Sequence, residues 1–102
     1  MSIVLPNGYK LKTTFFEDFT IADAFNINAI KDTFRRAFKE WKNNPEYVTE
    51  LSIVMNLKCW YWYEKDNIEY SELYSDYYYK VHYWCLDHLK GNDLQYYLNI
   101  ID

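Results

Sequence analysis

Glycine, proline and cysteine are scarce in this chain, with two of each among 102 residues. Few glycines and prolines disfavour a fold built on many tight turns. Two cysteines, Cys59 and Cys85, cannot form a disulfide framework, and no charged-then-apolar leader opens the chain, so we expect a cytoplasmic protein with free thiols. No apolar run approaches the roughly 20 residues that cross a bilayer. We therefore expect no membrane-spanning role.

The overall composition is that of an ordinary globular protein. Half of the residues are apolar and a quarter are charged, so we expect one folded domain over residues 1–102. The net charge of −4 argues against a protein whose whole surface attracts nucleic acid or anionic membrane. A local basic face remains compatible with that charge.

Apolar residues at three- and four-residue spacing predict an all-α fold, a compact bundle of about four helices plus a short C-terminal helix. Pro6-Asn7-Gly8 predicts a turn, so residues 1–12 form an extended arm or a small hairpin. Thr13 or Thr14 offers an N-cap, with Glu17 completing a capping box, and Asn26 a stop. The predicted later helices run from Asn28 to Lys42, from Pro45 to Lys65, from Ile68 to Lys90, and from an Asn92 cap through Ile101, with Gly91 ending the fourth.

The same spacing predicts which residues form the core. The predicted core consists of Phe19, Phe25, Ile30, Phe34, Phe38, Leu51, Val54, Met55, Leu73, Tyr77, Val81, Trp84 and Leu98. The segment from Leu51 to Tyr63 has an alternative interpretation as a strand, because it is rich in residues of high β propensity. Its length, its lack of internal turn residues and the helix start at Pro45 favour the helix.

Aromatic residues are divided unevenly along the chain. All six phenylalanines precede Glu40, whereas eleven of the twelve tyrosines and all four tryptophans follow it. Tyrosine and tryptophan carry a polar atom and suit a half-wet surface, so part of this second set is expected to face outward and to bind a protein partner or a second copy of the chain. The predicted partner-binding surface, aromatic and acidic, comprises Trp60, Tyr61, Tyr63, Tyr70, Tyr74, Tyr78, Glu69 and Glu72. Such negative aromatic faces can substitute for phosphates in inhibitors of nucleic-acid enzymes.

A basic face on the second predicted helix supports an alternative function, the binding of DNA or RNA. The cations that would contact phosphates are Lys31, Arg35, Arg36, Lys39 and Lys42. Asp32 and Arg36 are four residues apart and already use part of this charge in an ion pair. A simply solvated face explains the same pattern.

No motif indicates catalysis, a cofactor or a metal. The chain has no glycine-rich phosphate loop, no serine elbow and no H-E-x-x-H, so we expect a protein that is not an enzyme and needs no cofactor. His82, Cys85 and His88 are spaced by three residues, but on a helix the two histidines point about 120° apart. One ion cannot readily bind all three, and we expect no metal site.

Three segments carry a resemblance to a known group of proteins. They are Thr13 to Asp23, Ile30 to Lys42 and Tyr47 to Leu51. These segments resemble small uncharacterised proteins of phages and conjugative elements of Gram-positive bacteria. The resemblance implies a cytoplasmic accessory protein of a mobile element that binds a host or element-encoded macromolecule, such as a host defence nuclease that it inhibits.

Overall fold

The structure is a computed structural model that describes residues 4, 8, 10–12 and 15–101. These residues form five helices, so the predicted all-α fold is confirmed. The helices are α1 (Phe15–Asp23), α2 (Ile27–Trp41), α3 (Pro45–Glu64), α4 (Ile68–His88) and α5 (Gly91–Ile101). The helix α3 spans the segment for which a strand was the alternative.

Asparagine side chains mark the starts of three helices. Asn26, Asn44 and Asn67 each accept hydrogen bonds from backbone N–H groups in the first turn of α2, α3 and α4. Such N-caps satisfy donors that have no partner within the helix. The expected role of Asn26 as a left-handed stop is wrong, because its backbone is extended with φ of −178°. It begins α2, and α1 has already ended at Asp23.

Two helical hairpins make up most of the fold. The helices α3 and α4 pack along their length, and their contacts run in opposite directions: Trp62 meets Tyr70, and the Ser71 hydroxyl donates to the Cys59 carbonyl. This order makes the pair antiparallel. The helices α1 and α2 form the second hairpin, which packs on α3, and α2 also contacts α4. The last helix, α5, lies against α3 and α4.

Most of the predicted core is confirmed. Phe19, Ile30, Phe34, Leu51, Val54, Met55 and Val81 are buried, and Phe38, Leu73, Tyr77, Trp84 and Leu98 pack against them as half-buried residues. The prediction for Phe25 is wrong, because its side chain is 72% exposed. Since α1 ends at Asp23, Phe25 lies in the turn to α2 and no longer follows the helical spacing.

The N-terminal arm contacts α3. Val4 and Lys10 form an isolated antiparallel bridge. The backbone N–H of Lys12 donates to both carboxylate oxygens of the buried Glu50, each at 2.9 Å, and the Lys12 ammonium pairs with Glu46. The predicted turn residues Pro6 and Asn7 and the predicted N-cap at Thr13 or Thr14 lie outside the described residues.

Candidate functional site

A buried ion pair joins the two helical hairpins. Lys58 on α3 pairs with Asp23 at the end of α1, and their side chains are only 3% and 4% exposed. Asp23 Oδ2, which pairs with Lys58, also accepts a hydrogen bond from Trp62 Nε1 at 3.0 Å. The other oxygen, Oδ1, accepts a hydrogen bond from the Tyr74 hydroxyl. One carboxylate therefore binds a cation and two further donors, which offsets the cost of burying its charge.

Aromatic rings enclose the Lys58 ammonium. Its Nζ atom lies 4.8 Å from the centroid of the Tyr61 ring, 5.5 Å from that of Phe16, 5.7 Å from that of Trp62 and 5.9 Å from that of Tyr74. Cations are attracted to aromatic faces at such separations. The rings and the carboxylate together fix the orientation of the C-terminal end of α3 about its helix axis.

This rotation directs two rings into solvent. Lys58 and Trp62, four residues apart, share the inner side of α3, and Trp60 lies about 200° from each of them around the helix. Trp60 is accordingly 58% exposed, and Tyr63 is 56% exposed. Their rings contact each other edge to face with centroids 5.7 Å apart. Trp60 and Tyr63 therefore pack against each other on the outer side of α3, while the contacts of Lys58 and Trp62 fix the inner side of the same helix.

Together with the start of α4, these rings form one exposed surface at the turn between α3 and α4. Tyr61 is 45% and Ile68 is 50% exposed there, and every carboxylate of the segment is exposed. We call this the hairpin-tip surface; its members are Trp60, Tyr61, Tyr63, Glu64, Asp66, Ile68, Glu69 and Glu72. The cation within the same turn is Lys65, whose ammonium lies 5.7 Å from the Tyr61 ring centroid. The surface is consequently both apolar and acidic.

The structure separates the aromatic residues that were predicted to bind a partner. Trp60, Tyr61 and Tyr63 are exposed with Glu69 and Glu72, as expected. The prediction for Tyr74 is wrong: it is fully buried, and burial, followed by its hydrogen bond to Asp23, raises the pKa of its hydroxyl. Tyr70 and Tyr78 are half-buried, with Tyr70 edge-on to Trp62 at 5.0 Å and Tyr78 stacked on His82 at 5.7 Å. These three tyrosines recur every four residues and so share the side of α4 that packs inward.

The basic face on α2 is also divided. Lys31, Arg35 and Lys39 are exposed at four-residue intervals, and Lys42 is half-buried at the C-cap. Arg36 lies about 100° around the helix from Arg35. Its Nε atom pairs with Asp32 at 3.2 Å, so the predicted ion pair is confirmed. The exposed stripe is therefore narrower than the sequence predicts.

A groove between α1 and α2 was not predicted from the sequence. It encloses about 380 Å³ between the rim residues Ile21 and Phe25 and the small side chains Ala22, Ala29 and Ala37. Arg36 and three carboxylates, those of Asp18, Asp32 and Glu40, also line it. The signal in the sequence was the small size of these three alanines, one on α1 and two on α2, which leaves space where larger side chains would fill the interface.

The residues of the rejected metal pattern have other contacts. His82 Nδ1 lies 2.7 Å from the Tyr97 hydroxyl, which also lies 3.2 Å from Ser52 Oγ, and His88 Nδ1 lies 2.9 Å from the Trp84 carbonyl. Burial raises the pKa of the Cys85 thiol to about 12. No group of three metal-binding side chains occurs within the part of the chain that the structure describes.

Neither the helices nor the comparisons point to a known class of protein. Among the described residues, no helix has both the length and the apolar character needed to cross a membrane. Comparisons of the chain with protein-family models, with curated proteins and with solved structures gave no match.

Proposed function

We propose that this chain is a protein-binding module whose hairpin-tip surface contacts a basic partner. One observation carries the proposal: Trp60 and Tyr63 are more than half exposed although α3 is held from within by the Lys58–Asp23 pair. Tryptophan and tyrosine contribute most strongly to binding at protein interfaces, and rings held in place lose little conformational entropy on binding. The surface is thus suited to association before any partner arrives.

The acidic residues indicate the charge of the partner. Glu64, Asp66, Glu69 and Glu72 are all exposed around these rings. A negative patch attracts a positive one and speeds the encounter between two proteins. The finer form of the proposal is that the partner is a nuclease of a bacterial host, with the carboxylates in the place of phosphates and the rings in the place of bases. The resemblance to proteins of mobile elements supports that form.

Affinity capture with variants tests the proposal. The immobilised wild-type protein is expected to retain a basic partner. The Trp60→Ala variant should lose this partner, and so should the double variant Glu69→Lys with Glu72→Lys. Phe25→Ala is the matched control, because Phe25 is 72% exposed but lies in the turn between α1 and α2, away from the hairpin-tip surface. It should retain the partner. Capture that is unchanged in Trp60→Ala would contradict the proposal.

The inhibitor form has a separate test. A captured nuclease, once purified, should lose activity when the wild-type protein is added and keep it when Trp60→Ala is added. The inhibition should weaken as salt rises, since ionic strength screens the attraction between the carboxylates and a basic site. A partner that is bound through the hairpin-tip surface but keeps its activity would support protein binding and exclude inhibition.

The exposed stripe of Lys31, Arg35 and Lys39 supports a second candidate function, nucleic-acid binding. Three phosphate contacts predict a slope of about −2.7 when the logarithm of the affinity for duplex DNA is plotted against that of the salt concentration. Arg35→Glu with Lys39→Glu should abolish binding and leave the fold intact, because both side chains are exposed. The net charge of −4 opposes this function. A gel-shift without retardation at low salt would exclude it.

A further inference from the structure

A second exposed apolar stripe lies on α4, away from the hairpin-tip surface. Tyr79 is 51%, Tyr83 is 59% and Leu86 is 41% exposed. The rings of Tyr79 and Tyr83 stack with centroids 6.1 Å apart and an interplanar angle of 24°. The spacings of four and three residues place the three side chains on one side of the helix, as at the contact positions of paired helices.

Two opposite charges lie along one side of this stripe. Around the helix, Tyr79 and Leu86 lie about 40° and 60° to one side of Tyr83, whereas Lys80 and Asp87 lie about 60° and 40° to the other side. Lys80 and Asp87 are both exposed. The outer face of α4 therefore has an apolar flank and a charged flank, and the charged flank carries a cation before Tyr83 and an anion after it.

We infer that this face binds a second copy of the same chain, with the two α4 helices antiparallel and the two-fold axis at Tyr83. In that arrangement each flank meets its own equivalent. Tyr79 then packs on Leu86 of the second copy, and Lys80 lies opposite the Asp87 of that copy, with offsets of only about one residue or 1.5 Å along the axis.

The charge pattern selects this orientation. A parallel pair would set the charged flank of one copy against the apolar flank of the other, which would bury Lys80 and Asp87 without partners. The antiparallel pair forms two ion pairs between Lys80 of one copy and Asp87 of the other, one on each side of the two-fold axis.

The small size of the contact predicts a weak dimer. Stable interfaces usually bury about 800 Å² on each partner, whereas this contact rests on three apolar side chains from one helix. The population of dimer should therefore change with protein concentration. The hairpin-tip surface lies at the turn between α3 and α4, about 15 residues before Tyr83, and remains open in the dimer, so the dimer and the proposed partner can be tested separately.

Sedimentation equilibrium with charge variants tests the inference. Over a roughly hundredfold range of concentration, the wild type should move from monomer to dimer. Lys80→Glu or Asp87→Lys should weaken the dimer by about tenfold or more, because each creates two like-charge pairs, and the double variant should restore it. Lys31→Glu, also exposed but on α2, is the control and should change nothing. A wild type that stays monomeric, or a double variant that stays as weak as the single ones, would overturn the inference.

Cysteine cross-linking tests the position of the axis. A cysteine at position 83 faces its own equivalent, so Tyr83→Cys should form a disulfide-linked dimer on mild oxidation. The two residues at position 79 are about 12 Å apart along the helix axis, which is beyond the reach of a disulfide. Tyr79→Cys should therefore form no disulfide-linked dimer. The parent protein, with Cys59 half-buried and Cys85 buried, sets the background. Cross-linking at 79 but not at 83 would refute the axis at Tyr83.

Discussion

Replacing Lys58 with methionine would remove the cation from the buried ion pair and keep an unbranched side chain in its place. The Asp23 carboxylate, which is 4% exposed in the wild type, would still accept hydrogen bonds from Trp62 and Tyr74. Breaking a buried pair in this way costs about 3–5 kcal/mol. Because two donors remain, we expect Lys58→Met to lie near 3 kcal/mol, roughly the lower end of that range.

Replacing Asp23 with alanine should cost more. That change leaves the Lys58 ammonium, the Trp62 N–H and the Tyr74 hydroxyl without their shared acceptor. We expect a loss of about 5 kcal/mol, since each stranded buried donor adds its own desolvation penalty. The double variant should lose at least about 2 kcal/mol less than the sum of the single losses, because it no longer contains an unpaired buried charge.

Urea denaturation followed by tryptophan fluorescence measures these losses as changes in the free energy of unfolding. In thermal melts the Lys58→Met loss corresponds to a fall of about 12 °C or more in Tm. Lys65→Met is the matched control, because Lys65 also contacts the Tyr61 ring but is exposed. It should stay within about 0.5 kcal/mol of the wild type. A Lys58→Met loss below about 1 kcal/mol, or strictly additive variants, would refute the account of this network.

Two further predictions concern single side chains. Phe25→Ala should change the free energy of unfolding by less than about 0.5 kcal/mol, whereas Phe34→Ala, which removes a ring that is 1% exposed, should cost about 3–5 kcal/mol in the same urea experiment. Equal losses would contradict the placement of Phe25. Burial raises the pKa of the Cys85 thiol from its ordinary value of 9.0 to about 12, so above pH 9.0 the unfolded chain releases a proton that the native chain retains. Stability should therefore fall as pH rises from 9.0 towards 12, and Cys85→Ala should reduce the slope; an unchanged slope would contradict this assignment.

The helices themselves were predictable because their signals are local. The apolar spacing of α2 and the Pro45 start of α3 involve residues within a few positions of one another. The prediction that Gly91 ends the fourth helix and that Asn92 caps the fifth is wrong, because α4 ends at His88 and α5 begins at Gly91. Asn26 shows the limit of such signals. An asparagine can end one helix or begin the next, and only the observed extended backbone shows that it caps α2.

The candidate site was predictable only in part. Trp60, Tyr61 and Tyr63 were expected to be exposed and are. The same reasoning placed Tyr74 beside them, although it lies in the interior with its hydroxyl on Asp23. Tyrosine is amphipathic, so its composition and spacing do not distinguish an outward ring from a buried ring with a satisfied hydroxyl.

The sequence by itself determined that the chain folds as helices, where most of them begin, and that its second half carries more amphipathic rings than one core encloses. The tertiary structure alone decided how each helix is rotated, and with it which rings reach solvent. The physical reason is that periodicity defines a face within one helix, whereas Asp23 and Lys58 meet only when α1 packs on α3. That contact between distant segments turns Trp60 and Tyr63 outward and Tyr74 inward, and no local pattern encodes it.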